Sequence, residues 1–267
     1  MVATPIGNLS DLSPRAAETL RRADRLLVED TRVTAKLLAH IGAKVPMTRY
    51  DDHSSDRDRE AIVTRLGSEA IALLSDAGTP LISDPGYKLV RAVRAAGHAV
   101  YTVPGPSAAI AALTLAGLPT DRFLFLGFLP AKAKARADAI AEIAAIRATL
   151  VLYESGPRLA ATLAALGDGL GDREAAVARE ITKLHEECVT GTLEELAERY
   201  AAAPAKGEIV IVVGPPIPKP AASDAELDAA IETALATLSP SEAAAAVSKQ
   251  LNLPRKRVYA RVLEIIR

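Results

Sequence analysis

The chain has 267 residues, 49% of them apolar, and a formal net charge of −1; this is enough for one to two domains of roughly 150 residues each with a sizeable core, and the charge balance singles out no partner. One cysteine, Cys188, excludes an intramolecular disulfide, and the absence of a leader-like start leads to the expectation of a bacterial-type cytoplasm, with no membrane-spanning run. Aromatic residues are only 3% of the chain, which argues against a stacking platform for bases.

Only Met1-Val2-Ala3 precede Thr4-Pro5. A strand normally needs about five or six residues, so the first strand is expected to be stunted, or the chain to start a few residues late. Thr4-Pro5-Ile6-Gly7-Asn8 reads as a turn, and Ser13-Pro14 opens a helix with a cap and Pro at its first position. Residues 25–28 form the next strand, ending at Glu29-Asp30-Thr31-Arg32, and a helix follows to Ile41, closed by Gly42. Residues 54–66 are a charged helix. Residues 70–74 are five apolar residues that break into SDAGTPLISDPG, from Ser75 to Gly86. A helix over 86–96, a strand over 98–103, the loop Pro104-Gly105-Pro106-Ser107 and an Ala-rich helix over 108–116 complete the first half. This β-loop-α rhythm implies a mostly parallel sheet with helices on its faces.

Residues 122–128 alternate Phe123, Phe125 and Gly127 against Leu124, Leu126 and Phe128, apolar on both sides, and are expected to be a buried strand. A basic-edged helix over 131–147 follows, then strands over 149–153, 175–180, 187–191 and 208–213 with helices between them. Residues 1–117 and 118–214 thus read as two α/β lobes. A Pro-rich linker over 214–220 leads to a helical tail, 221–267. Its helices over 241–250 and 254–266 are joined by Leu251-Asn252-Leu253 in helix-turn-helix-like spacing.

Four loops in the first lobe, at Thr4, Glu29, Ser75 and Pro104, each follow a predicted strand. They should line one sheet edge, where open α/β sheets bind ligands. Any one of them could simply start a helix; four together favour a ligand. Which ligand stays open: there is no G-x-G-x-x-G after the first strand, no P-loop and no G-x-S-x-G elbow. His185-Glu186-Glu187-Cys188 reads as a strand edge rather than a zinc site, and no metal is assigned.

The segments VATPIGNLSDLSPRA from Val2, EDTR from Glu29, SDAGTPLISDPG from Ser75, VPGPSA from Val103, GFLPAK from Gly127 and AREITK from Ala178 together resemble the tetrapyrrole-methylase superfamily of S-adenosylmethionine-dependent methyltransferases. Within it they resemble the branch that methylates a cytidine ribose of bacterial 16S ribosomal RNA, in the decoding centre. Ile181 stands where that branch usually has Leu. The resemblance implies the class III methyltransferase fold, two α/β lobes with the cofactor S-adenosyl-L-methionine in the cleft between them, plus a small C-terminal helical unit. It implies cofactor contacts from Asp76, Ala77, Gly78, Thr79 and Pro80, with Ile82, Ser83 and Asp84 behind. Pro5, Pro104, Gly105, Pro106, Ser107 and Ala108 would add neighbouring walls, and Tyr153, Glu154, Arg179 and the strand beginning near Gly207-Glu208 would close the pocket.

A ribose hydroxyl is neutral at pH 7, so its methylation needs in-line positioning and removal of its proton. Candidate bases or positioners are Glu29, Asp30 and Glu180, and candidate cations are Arg32, Arg179 and Lys183. RNA phosphates would meet Lys132, Lys134 and Arg136, and in the tail Arg255, Lys256, Arg257 and Arg261. The alternatives are solvated helix faces for the first group and a dimer cap for the tail. The implied partners are 16S rRNA or the small ribosomal subunit and a second copy in a homodimer, with no membrane. A methylase of a small tetrapyrrole and a non-catalytic RNA-binding assembly factor stand as competing readings.

Overall fold

The Ser13 hydroxyl accepts the Ala16 N–H and Pro14 occupies the first turn of α1 (Pro14–Arg22), as the sequence leads one to expect. The same economy runs through the computed structural model, which describes residues 1–51, 53–216, 223–251 and 253–266. These fall into two compact units, Met1–Pro216 and Ile217–Arg267. The first unit holds two sheets. The smaller contains β1 (Arg25–Val28), β2 (Met47–Arg49) and β3 (Ile71–Leu73), all parallel in the order β2-β1-β3. Alternate residues of β1 feed opposite faces. Leu26 and Val28 join Leu20 of α1 and Leu37 and Leu38 of α2 (Thr31–His40). Leu27 joins Ile62 of α3 (Asp56–Arg65) and Leu89 and Val93 of α4 (Tyr87–Ala95).

Two expectations change here. The expected strand over 98–103 is reduced to one bridge between Val2 and Val103, because a ladder needs successive partners and Thr4 already turns away to pair with Gly78. Strand β2 has no counterpart in the sequence reading; three residues, none fully buried, carry no periodic signal.

The larger sheet has the order β4-β5-β8-β6-β7, from β4 (Phe123–Phe128), β5 (Thr149–Ser155), β6 (Glu174–Arg179), β7 (Glu187–Thr192) and β8 (Glu208–Val213). Only β4 and β5 are parallel; the other pairs are antiparallel. One face packs on α6 (Ala133–Ile143), α7 (Leu159–Leu170) and α8 (Leu193–Ala202). The other face carries α5 (Ala108–Leu115), whose Ala109, Ala112 and Leu113 meet Val151, Val210 and Val212. The sequence reading puts 108–116 in the first lobe; its helix packs on the second sheet, so the chain crosses over at the Pro104-Gly105-Pro106 loop. Strand β4 is not buried as expected: pairing with β5 alone leaves it an edge, with Phe123 and Phe128 exposed.

Among the described residues, the second unit has three helices, α9 (Asp224–Leu235), α10 (Pro240–Leu251) and α11 (Arg255–Ile265), around Leu227, Ile231, Val247, Val258 and Val262. Helix α9 adds to the two expected from the sequence. The linker residues 217–220 and Asn252 of the interhelical turn lie outside the described residues.

Candidate active site

Because β1 and β3 are parallel neighbours, the loops leaving them emerge side by side, and hydrogen bonds tie them. Asp76 Oδ1 accepts the Asp30 N–H at 3.0 Å. Thr4 and Gly78 exchange both backbone bonds, at 2.9 and 3.1 Å, and the Thr79 hydroxyl donates to Pro106 O at 3.0 Å. Gly105 lies so close to Ala3 that a Cβ there would stand 2.9 Å from the Ala3 methyl. All four sequence-predicted loops therefore meet. The segment from Ser75 to Gly86 is wound tightly: Gly78 takes φ +84, and Leu81 and Ser83 take φ 74 and 63, a region costly for side chains other than glycine.

Facing this wall are the ends of β4, β5 and β8 and the turn after β6. The Thr4–Asn8 loop presses on that turn; a Cβ on Gly7 would meet the Lys183 stem at 2.6 Å and Ile181 O at 2.9 Å. Between the walls lies a cavity of about 340 Å³, within the ~300–1,000 Å³ common to small-molecule sites.

Of the expected cofactor contacts, Asp76, Ala77, Gly78, Thr79, Ile82, Ser83, Asp84, Ser107, Ala108, Tyr153, Glu154 and Gly207 line the cavity. Glu29, Glu180 and Lys183 line it too. Pro5, Pro80, Pro104, Gly105 and Pro106 are not among the lining residues; Pro106 O accepts the Thr79 hydroxyl and Gly105 lies against Ala3. Arg179 is drawn aside by Glu187, at 2.5 Å, which Arg199 also approaches at 3.6 Å. The sequence reading did not name Ile6, Phe128, Ser155 and Ile181 as pocket residues, and it took the strand beginning near Gly207-Glu208 to close the pocket without singling out Ile209 and Val210, which also line it. Ile6, Ile181 and Phe128 all lie within segments read as motifs, but for Phe128 two-residue strand alternation did not give the direction of the side chain.

The lining is acidic. Glu29, Asp76, Asp84, Glu154, Glu180 and Glu208 contribute carboxylates, and among the described residues Lys183 is the one basic lining residue. Glu154 is nonetheless saturated: it accepts from Ser155 N (2.8 Å) and Thr162 Oγ1 (2.7 Å) and pairs with Arg158 (3.2 Å). Lys183 lies 3.1 Å from Glu180 and 3.6 Å from Glu208. Burial pulls its ammonium down, but the two carboxylates outweigh that and leave its pKa above the ordinary value. Burial, reinforced by Asp84 and Glu208, pushes the Tyr153 phenol up against the opposing Ala109 N–H, which it accepts.

Asp30 caps α2 through Arg32 N at 2.8 Å and receives the Arg32 guanidinium at 2.6 Å. The Arg32 hydrogen bonds hold its carboxyl at about 2. Arg32 thus engages both Asp30 oxygens, and the pair caps α2 beside Glu29.

Lys132 and Lys134 are exposed where α6 begins, and Arg136 is half-buried. In the second unit, Asp228 holds Arg261 in a bidentate pair at 2.7 Å, which Glu264 joins at 2.7 Å. Asp224 takes Arg257 at 3.2 Å and Ser241 Oγ takes Arg255 at 3.1 Å, while Lys256 is exposed. The carboxylates of α9, the helix missing from the sequence reading, thus hold two of the four tail cations in place.

Residues 1–197 match the family described as Tetrapyrrole (Corrin/Porphyrin) Methylases, and residues 221–265 match the RsmI C-terminal HTH domain. The chain is 54% identical to the Ribosomal RNA small subunit methyltransferase I of Erythrobacter litoralis, over 99% of this chain and 94% of that protein. It is 46% identical to the protein of that name from Mesorhizobium japonicum, over 99% and 91%. Among solved structures, diphthine synthase superposes with a TM-score of 0.62 at 18% identity, covering 80% of this chain and 88% of that one. The methyltransferase CobJ does so with a TM-score of 0.60 at 17% identity, covering 80% and 92%. At those identities the likeness is one of fold.

Proposed function

We propose, from the premise that the chain belongs to the tetrapyrrole (corrin/porphyrin) methylase family, that its cavity binds S-adenosyl-L-methionine and that the protein methylates the 2′-hydroxyl of a cytidine ribose in 16S ribosomal RNA. One observation carries the choice of substrate. Relatives named for small-subunit ribosomal RNA match along 99% of the chain, and the tail has its own match to the RsmI C-terminal HTH domain.

The lining fits the cofactor. Ile6, Ala108, Ile181, Ile209 and Val210 offer an apolar bed for adenine, and the backbone of Asp76, Ala77 and Thr79 offers hydrogen-bonding partners for its edge. Asp76, Asp84 and Glu208 suit its positive charges. When bound, it supplies a methyl group on a positively charged sulfur, open to attack from the far side. The residues must then hold the acceptor oxygen in line and take its proton as the C–O bond forms. Glu29, Asp84, Glu180 and Glu208 are placed to receive that proton, and Lys183 supports the charge that develops on the oxygen. In this reading the two lobes, 1–117 and 118–214, carry the two walls, with α5 crossing to pack on the second sheet, and 221–267 engages RNA. The protein works as a cytoplasmic homodimer.

The deciding experiment is methyl transfer from labelled S-adenosylmethionine to small ribosomal subunits from cells lacking the activity, with the modified nucleotide mapped. Label on a cytidine ribose is expected. Transfer only to a tetrapyrrole acceptor, or cofactor binding without any transfer, overturns the reading. Replacing Arg255, Lys256 and Arg257 together should flatten the salt dependence of RNA affinity; an unchanged slope makes the tail a dimer cap.

A further inference from the structure

The chain has three phenylalanines, and all lie on β4. In a regular strand, Phe128 would share a face with Leu124 and Leu126, opposite Phe123 and Phe125. The register contradicts this. Phe125 pairs with Val151, but Gly127 pairs with Leu152 and Phe128 with Tyr153, so Leu126 is an extra residue in a β-bulge. Gly127 sits at φ +63, where a glycine is at ease, and a Cβ on it would stand 2.9 Å from Ser83 Oγ of the opposite wall. A one-residue insertion flips every later side chain. Phe128 is thereby turned onto the face of Val151, Tyr153 and the cavity.

The result is an aromatic group at the cavity rim. Phe128 meets Tyr153 edge-on with centroids 5.6 Å apart, and Tyr153 meets Phe125 edge-on at 4.9 Å. Tyr153 is thus held from both sides, while Phe128 lines the cavity and stays 57% exposed. Ile82, on the strained loop, is a second exposed apolar lining residue. An edge-on contact occupies at most one face of the Phe128 ring and leaves another available to a planar group. Lys132 and Lys134 follow on the same chain at the exposed start of α6, suited to phosphates flanking such a group.

We propose that Phe128 is the platform on which the unpaired base of the acceptor nucleotide stacks, so that its ribose reaches the cavity while the flanking phosphates stay outside the acidic lining. This rests on the proposed RNA substrate. The low aromatic content spoke against a platform in general; the bulge brings Phe128 to join Phe125 and Tyr153, three of the nine aromatic residues, at the cavity rim.

The chain has no tryptophan, so Phe128→Trp creates a single fluorescent reporter at the rim. An RNA oligonucleotide with an unpaired cytidine should quench it, and the same oligonucleotide abasic at that position should not. Phe128→Ala should raise the KM for small subunits about ten-fold, the scale of one base stack, with a smaller change in S-adenosylmethionine affinity; Phe128→Tyr should restore it. Equal quenching by the abasic oligonucleotide, or a loss in Phe128→Ala that falls mainly on cofactor affinity, overturns the platform. Wild-type protein run in parallel separates the two ideas. Methylation of RNA without base-dependent quenching removes the platform alone, and no RNA methylation removes both.

Discussion

The two walls of the cavity are held by different means. On the first, backbone does most of the holding, through the Thr4–Gly78 exchange and the left-handed residues between Ser75 and Gly86, with the Asp76 carboxylate as a side-chain tie to the Asp30 amide. On the second, side chains do it: ion pairs around Lys183 and Glu154 rest on a five-stranded sheet with fully buried Leu150, Leu152 and Ile211. A wall held by backbone should be hurt most by adding a Cβ. A wall held by side chains should be hurt most by taking atoms away.

Leu152→Ala sets the upper end of that contrast. Deleting a fully buried leucine should cost about 2–5 kcal/mol, read as a shift in the urea midpoint of the whole chain; a loss well under 1 kcal/mol would mean the second sheet is not the rigid support. Gly78→Val comes next. A branched side chain at φ +84 costs about 1–3 kcal/mol of strain, so calorimetric affinity for S-adenosylmethionine should fall roughly ten- to a hundred-fold. Wild-type affinity would show that the first wall is not set by its backbone.

Asp76→Ala leaves the Asp30 N–H without its acceptor, worth about 1–3 kcal/mol if it stays unpaired. Cofactor affinity should drop about ten-fold while the circular dichroism spectrum is retained; unaltered affinity would detach the Asp76–Asp30 tie from the pocket. The smallest effect belongs to Asp30→Asn. With its carboxyl held at about 2 by Arg32, Asp30 contributes its cap fully above pH 3.8 and loses it as the pH falls towards 2. The methyl-transfer rate of Asp30→Asn between pH 6 and 9 should therefore keep the wild-type profile. A displaced acid limb would make Asp30 the proton acceptor and break its assignment as scaffold.

The first wall was legible in the residues because turns are local. Gly, Pro, Ser and Asp at the end of an apolar run leave few backbone solutions, and SDAGTPLISDPG lines the cavity over Asp76–Thr79 and Ile82–Asp84. The second wall was legible in part. Tyr153, Glu154 and Gly207 do line the cavity, yet Arg179 turns to Glu187 across the β6–β7 pair, and strand pairing is not written in either strand alone. In the tail the same holds: the basic run was visible, but that Asp228 holds Arg261 follows from α9 lying beside α11.

By itself the sequence determined the loop chemistry, most of the helix ends and a family-wide set of cavity segments, since each depends on contacts a few residues apart. Only the tertiary structure decided which strands are edges, which cations are spoken for and where Phe128 points. Those depend on partners far away in the chain and on a bulge that inverts the two-residue alternation from which a strand is read.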